Sequence, residues 1–236
     1  MDFVRPIEAI VPGAQGRVLA VLAETTAELN LRTIAQLAGI SQAQASRLLP
    51  DLVALGVVER REVPPASLFR LVPEHVASRA LLALARSTDT VLDDMGRLAG
   101  ALPQPPVSVI VFGSFARREA EVESDIDVVV VRPAEIDEDD DEWSASLEAW
   151  RRDVARLTGN TVEVLEVSAD AAATRLAGRT QVWADIRRDG RVVHGLSLDE
   201  LRAVRSGWAR SHPAGVGRAG PRLRRQGRGV RRGREQ

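Results

Sequence analysis

The chain has no cysteine, which excludes disulfides and thiolate metal sites. It has no lysine either: all 32 basic residues are arginine, a skew that points to a GC-rich coding sequence rather than to a chemistry. No apolar run approaches the ~20 residues a membrane-spanning helix needs. The start of the chain lacks the basic-then-apolar pattern of a secretion signal. The three histidines, His75, His194 and His212, are too scattered for a metal cluster. These absences predict a soluble, cytoplasmic protein with no membrane partner. At 236 residues and 44% hydrophobic content there is room for two modest domains, each with a real core.

A net charge of −1 hides a marked asymmetry. Residues 1–72 balance seven arginines against seven acids. Residues 107–200 carry 11 arginines against 21 acids, a net −10, and residues 201–236 carry 11 arginines against one acid, a net +10.

The densest information lies in residues 107–131. Residues 107–112 are β-branched and aromatic and predict a buried strand. Gly113-Ser114 ends it, and residues 116–121 have helical composition, so the pair is expected where a strand turns into a helix. Gly113 lets backbone approach a ligand, Ser114 offers a hydroxyl, and the first free N–H groups of a helix favour an anion such as a triphosphate. Asp125 and Asp127 open the next apolar run, 125–131. Residues i and i+2 of a strand share a face. Two carboxylates side by side repel unless a cation joins them, and Mg²⁺ is commonly held by one or two carboxylates plus substrate phosphates. A third carboxylate is expected from the alternating segment 161–167. Glu163 and Glu166 have opposite parity, so only one shares the active face; the pattern favours Glu163, isolated between valines, as a buried base or second-metal ligand, with Glu166 as the alternative. Arg117 is read as a phosphate contact or as a surface partner of Glu121. Taken singly, a Gly-Ser turn and a solvated Asp-x-Asp are bland; it is their spacing that carries the chemistry.

Gly113-Ser114, ten residues, then Asp125-x-Asp127 resembles the signature of the polymerase-β-like nucleotidyltransferase superfamily. The fuller string Gly113-Ser114-Phe115-Ala116-Arg117, with Ser124-Asp125-Ile126-Asp127, is similar to its minimal members, among them kanamycin-type enzymes and the nucleotidyltransferase halves of toxin–antitoxin pairs. Residues 185–195 are similar to the segment that closes such domains. The resemblance implies transfer of a nucleoside monophosphate from an NTP to a hydroxyl or phosphate acceptor, assisted by Mg²⁺, with two ions expected. It implies catalytic and metal-binding roles for Asp125, Asp127 and Glu163, and phosphate contacts for Gly113, Ser114 and Arg117. One departure stands out: Arg118 occupies the family's usual glycine position. Arginine is strained there if the backbone needs a positive φ, and otherwise adds a cation near the triphosphate.

Upstream, residues 16–29, 31–38 and 42–49 predict three helices, with a tight turn at Gly39-Ile40 and a cap at Ser41. Residues 56–63 and 67–72 read as two strands around Pro64-Pro65. Ile34-Ala35 with Gly39-Ile40-Ser41 resembles a helix-turn-helix, and residues 10–72 together resemble a winged helix-turn-helix of bacterial regulators. That implies a third helix in the DNA major groove. Gln42, Gln44, Ser46 and Arg47 would then face bases or phosphates, with Arg60, Arg61 and Arg70 on the wing. DNA affinity rests mainly on neutralised phosphates, and this segment has no excess positive charge, so protein docking or dimerisation competes with that reading.

Residues 73–104 read as a connecting helix that links the domains or pairs with a second copy in a homodimer. The acidic run 135–142 reads as a solvated loop, or as an attractor of a cation or a basic acceptor. Residues 143–157 read as an amphipathic helix, and the Arg/Gly-rich tail 209–236 as disordered. The expected fold class is α+β: a winged-helix N-terminal domain, then a nucleotidyltransferase domain (105–200) with a mixed sheet flanked by helices. The expected function is Mg²⁺-dependent nucleotidyl transfer to a protein, RNA or small molecule, targeted by the winged helix. The alternative is a DNA-binding regulator or antitoxin whose nucleotidyltransferase fold senses nucleotide or docks a partner toxin.

Overall fold

The computed structural model describes residues 1–203; the tail 209–236 lies outside the described residues. The N-terminal domain runs α1 (Pro6–Ile10), α2 (Ala14–Ala23), β1 (Leu29–Asn30), α3 (Leu31–Leu37), α4 (Gln42–Ala54), β2 (Val58–Val63) and β3 (Ala66–Leu71). The strands pair antiparallel in the order β1-β3-β2, which makes β2 and β3 a wing. Asn30 opens α3 by accepting the Thr33 N–H at 2.9 Å. Ser41 and Gln44 open α4 with a capping box: Ser41 Oγ accepts the Gln44 N–H at 3.1 Å, and Gln44 Oε1 accepts the Ser41 N–H at 3.0 Å. The expected end of this helix at Leu49 is too early. It continues through Pro50 to Ala54, because Leu49 and Leu52 are both buried against Leu22, Ile34 and Phe69. That burial outweighs the one backbone hydrogen bond a proline removes.

The expected connecting helix over 73–104 is two helices, α5 (Val76–Ala85) and α6 (Ser87–Gly100), broken at Arg86. The break has a packing cause. α5 turns Leu81, Leu82 and Ala85 onto the N-terminal core, whereas α6 buries Val91, Leu92, Met95 and Ala99 in the core of the second domain. Residues 1–10 also serve both: Phe3 belongs to the second core and Ile7 to the first.

The second domain runs β4 (Ser108–Phe112), α7 (Gly113–Ala116), β5 (Ile126–Arg132), α8 (Asp141–Thr158), β6 (Val162–Ser168), α9 (Ala169–Ala177), α10 (Gln181–Asp189), β7 (Arg191–Gly195) and α11 (Leu198–Ala203). Its sheet has the order β6-β5-β4-β7. β5 and β6 are parallel across the α8 crossover, and the other neighbours are antiparallel. Strand alternation sorts the sheet into two faces. Val109, Val111, Val128, Val130 and Val162 pack under α6 and α8, with Trp143, Trp150 and Met95. Ile110, Val129, Val131 and Val167 pack under α9, α10 and α11, with Leu176, Trp183 and Ile186. α6 comes so close to β7 that a Cβ on Gly96 would lie 2.0 Å from the Val193 carbonyl oxygen.

Candidate active site

The site forms at one end of the sheet, where β4 ends and β5 and β6 begin. The register sets Phe112 opposite Asp127, and Asp127 opposite Glu163. Residues paired across strands project from the same side, so Asp127 and Glu163 share the face that continues through Val129, Val131 and Leu165. Asp125 lies just ahead of β5 and is exposed. Glu163 is exposed as well, not buried as its valine neighbours suggest. Glu166 pairs with Val130 on the other face. There its Oε1 accepts hydrogen bonds from Arg132 Nε (2.7 Å) and Trp143 Nε1 (3.0 Å), which pins α8 to the sheet.

Gly113 has φ +69°, and the Asp127 carboxylate is packed onto its backbone: a Cβ there would fall 2.2 Å from Asp127 Oδ2. No other residue admits that approach. Asp127 is half-buried. Burial first, then the charges of Asp125 and Glu163, push its carboxyl above the ordinary range, with Arg117 pulling the other way. Asp125 and Glu163 thus both lie close enough for Asp127 to feel their charge. Among the described residues no group of three His, Cys, Asp or Glu side chains closes into a metal cage. A pair of carboxylates in a cradle against backbone nonetheless fits Mg²⁺, which takes its remaining ligands from phosphate oxygens and water.

α7 is a single turn over Gly113–Ala116; of the expected helix over 116–121 only Ala116 is helical, so no helix macrodipole is available to an anion. It closes as a Schellman motif: Glu119 N–H donates to Ser114 O (2.8 Å), and Arg118 N–H to Phe115 O (3.1 Å). The residue in the left-handed slot is Arg118, at φ +62°. A side chain in that slot costs about 1–2 kcal/mol. The Arg118 guanidinium does not reach toward the Gly113-Ser114 turn; it donates to Asp89 on α6 at 2.7 and 3.0 Å. Arg117 does not pair with Glu121. Its Nε donates to Glu119 at 2.7 Å, and its Nη1 lies 3.9 Å from Asp189 at the end of α10. A hydrogen bond from Arg188 holds the Asp189 carboxyl below its ordinary range. Asp189 lies in the closing segment 185–195, yet nothing in its local pattern marks it as a partner of Arg117. The acidic run 135–142 follows the far end of β5, roughly 20 Å along the strand from Asp127, and so takes no part in this site.

In the N-terminal domain Gln42, Ser46 and Arg47 stand exposed on α4. Gln44 is exposed beside them, and its carboxamide oxygen is held by the capping box. The wing arginines are each matched by an acid: Arg60 with Glu62 (2.6 Å), Arg61 with Glu28, and Arg70 with Glu59. Arg32, which the sequence pattern did not single out, lines a groove of about 790 Å³ between α4 and the wing, together with Gln42, Ser46 and Arg60.

Residues 16–62 match the IclR helix-turn-helix domain, and residues 91–180 match the nucleotidyltransferase domain. No curated protein matches the chain. Among solved structures, the chain is similar to a MarR-family transcriptional regulator from Silicibacter pomeroyi, at 28% identity over 43% of this chain and 68% of that one, with a TM-score of 0.29. It is also similar to a toxin–antitoxin structure with AMP-PNP, at 16% identity over 48% of this chain and 77% of that one, with a TM-score of 0.31. Among the described residues no helix is long and apolar enough to cross a membrane. The chain joins an IclR-type helix-turn-helix domain to a nucleotidyltransferase domain.

Proposed function

We infer that the second domain transfers a nucleoside monophosphate from an NTP to an acceptor hydroxyl or phosphate, and that the winged-helix domain directs it to that acceptor. The observation that carries this reading is the register Phe112–Asp127–Glu163, which brings two strand carboxylates and Asp125 together beside Gly113-Ser114. Asp125 and Asp127 would hold Mg²⁺, with Glu163 available to a second ion; bound there, the metal would neutralise the triphosphate and polarise the reacting phosphoryl group. Gly113 lets the Asp127 carboxylate lie against the turn, Ser114 supplies a hydroxyl, and Arg117 supplies the local cation. Glu163, exposed on the β6 side, serves the acceptor. The acceptor oxygen bonds to the α-phosphorus as the α–β anhydride breaks; pyrophosphate leaves, and Glu163 takes the acceptor's proton.

The full chain incubated with each labelled NTP, Mg²⁺ and cell extract should label an acceptor and release pyrophosphate. If no NTP gives label above that of Asp125→Asn, the reading fails.

DNA binding by the N-terminal domain has one observation in its favour. Arg32 and Arg47 have no acidic partner among the described residues, and they lie on or beside α4, the helix that would enter the groove. Its test is binding of the full chain to duplex DNA across a salt series. A flat response, or none even at low salt, leaves the domain a docking module.

A further inference from the structure

Asn160, in the short link between α8 and β6, is only 5% exposed, and every polar atom of its side chain is engaged. Its Nδ2 group faces three carbonyl oxygens: Glu121 at 3.3 Å, Val122 at 3.2 Å and Ser124 at 2.9 Å. Its Oδ1 accepts from the Met1 amino group at 2.6 Å, and its own N–H donates to Thr158 Oγ1 at 3.2 Å. The three carbonyls belong to the loop that delivers Asp125. That loop carries Glu119, Glu121, Glu123 and Asp125 in alternation. A carboxamide has two N–H donors and no charge. It can gather three carbonyls without neutralising the carboxylates they lead to, as an arginine would. Asn160 also stands three residues before Glu163, and next to it Ile126 N–H donates to Thr161 O at 2.8 Å, where β5 and β6 first join. One side chain therefore ties the Asp125 loop to the strand that bears Glu163.

We propose that Asn160 is the positioning residue of the active site, fixing the Asp125 loop against the Glu163 strand and thereby setting the affinity for Mg²⁺–nucleotide. The proposal rests on the nucleotidyltransferase reading above. A purely structural asparagine would affect melting and leave the metal dependence alone.

The test is calorimetric binding of non-hydrolysable analogues of the four NTPs to the full chain at graded MgCl₂. Asn160→Asp keeps the shape and the acceptor for Met1 and removes all donation to the loop. The Mg²⁺ needed for half-maximal binding should rise on the order of 10–100-fold, as for other outer-shell partners of metal ligands. An added carboxylate acting through its charge alone would shift it the other way. The control is Ser108→Ala, which removes the 2.8 Å bond from Ser108 Oγ to Leu196 O at the opposite end of β4; it should lower the melting temperature and leave the Mg²⁺ midpoint unchanged. Asn160→Ser, with one donor, should fall between them, and it replaces Asn160→Asp in the comparison if that variant does not fold. An Asn160 variant with the wild-type Mg²⁺ midpoint, while the wild type binds nucleotide, overturns the proposal alone. A wild type whose nucleotide binding ignores Mg²⁺ overturns both the proposal and the reading beneath it.

Discussion

The two domains treat charge in opposite ways. On the wing, Arg60, Arg61 and Arg70 each face a glutamate, and the hydrogen bond from Arg61 draws the Glu28 carboxyl below its ordinary range. In the second domain Asp125 and Glu163 crowd Asp127, and the nearby cation, Arg117, is itself taken up by Glu119. Exposed matched pairs are ordinary surface and add little. Like charges held together against their repulsion need something else in the site to complete them, which is why they mark function. The second domain thus leaves like charges unmatched, while the winged helix pairs its wing cations with acids.

The largest effect should come from taking one charge out of the crowded set. Asp125→Asn or Asp127→Asn should slow nucleotide transfer at least 10²–10³-fold, equivalent to ~3–4 kcal/mol of barrier, measured as labelled product per unit time. Full activity in both would remove the contrast between the domains.

The two β6 glutamates sharpen it. Glu163→Gln should bind NTP nearly normally and lose turnover on a similar scale. Glu166→Gln should keep turnover per folded molecule and lose about 1–3 kcal/mol of stability in denaturant melts, because buried Arg132 is left without its anion. The reverse outcome would mean that the active face lies on the α8 side of the sheet.

Next in size is the wing. Glu28→Gln, Glu59→Gln and Glu62→Gln together free three arginines, so any DNA affinity should rise and its log–log salt slope should steepen by about 2–3. Unchanged titrations would show that pairing is not what masks the domain.

The smallest effect is on stability. A raised folded-state value means that the folded protein binds the Asp127 proton more tightly than the unfolded chain does. That stabilisation is full below the unfolded value and is lost as pH rises through the folded one. Without divalent cations, Asp127→Asn should therefore melt above wild type near pH 7, and the gap should close toward about pH 4. A mutant that melts lower at neutral pH would show that the carboxylate is compensated after all.

Features set by spacing along one strand or one turn are legible in the chain. The i, i+2 parity of Asp125 and Asp127, the opposite parity of Glu163 and Glu166, the Ser41 cap and the helix-turn-helix punctuation are local, and local geometry has short, fixed periods. Whatever depends on a partner distant in the chain was settled only by the tertiary structure. Glu163 stands beside Asp127 because of the β5–β6 register, and Glu166 belongs to Arg132 and Trp143 on the other face. The linker became two helices because two separate cores claim its two halves. Arg118 keeps its left-handed backbone while its guanidinium bonds to Asp89, 29 residues upstream. Asn160, which reads along the chain as part of a turn, gathers carbonyls 36 to 39 residues away. Hydrogen bonds and burial act through space and leave no periodic trace in the chain, so the folded structure was required to reveal them.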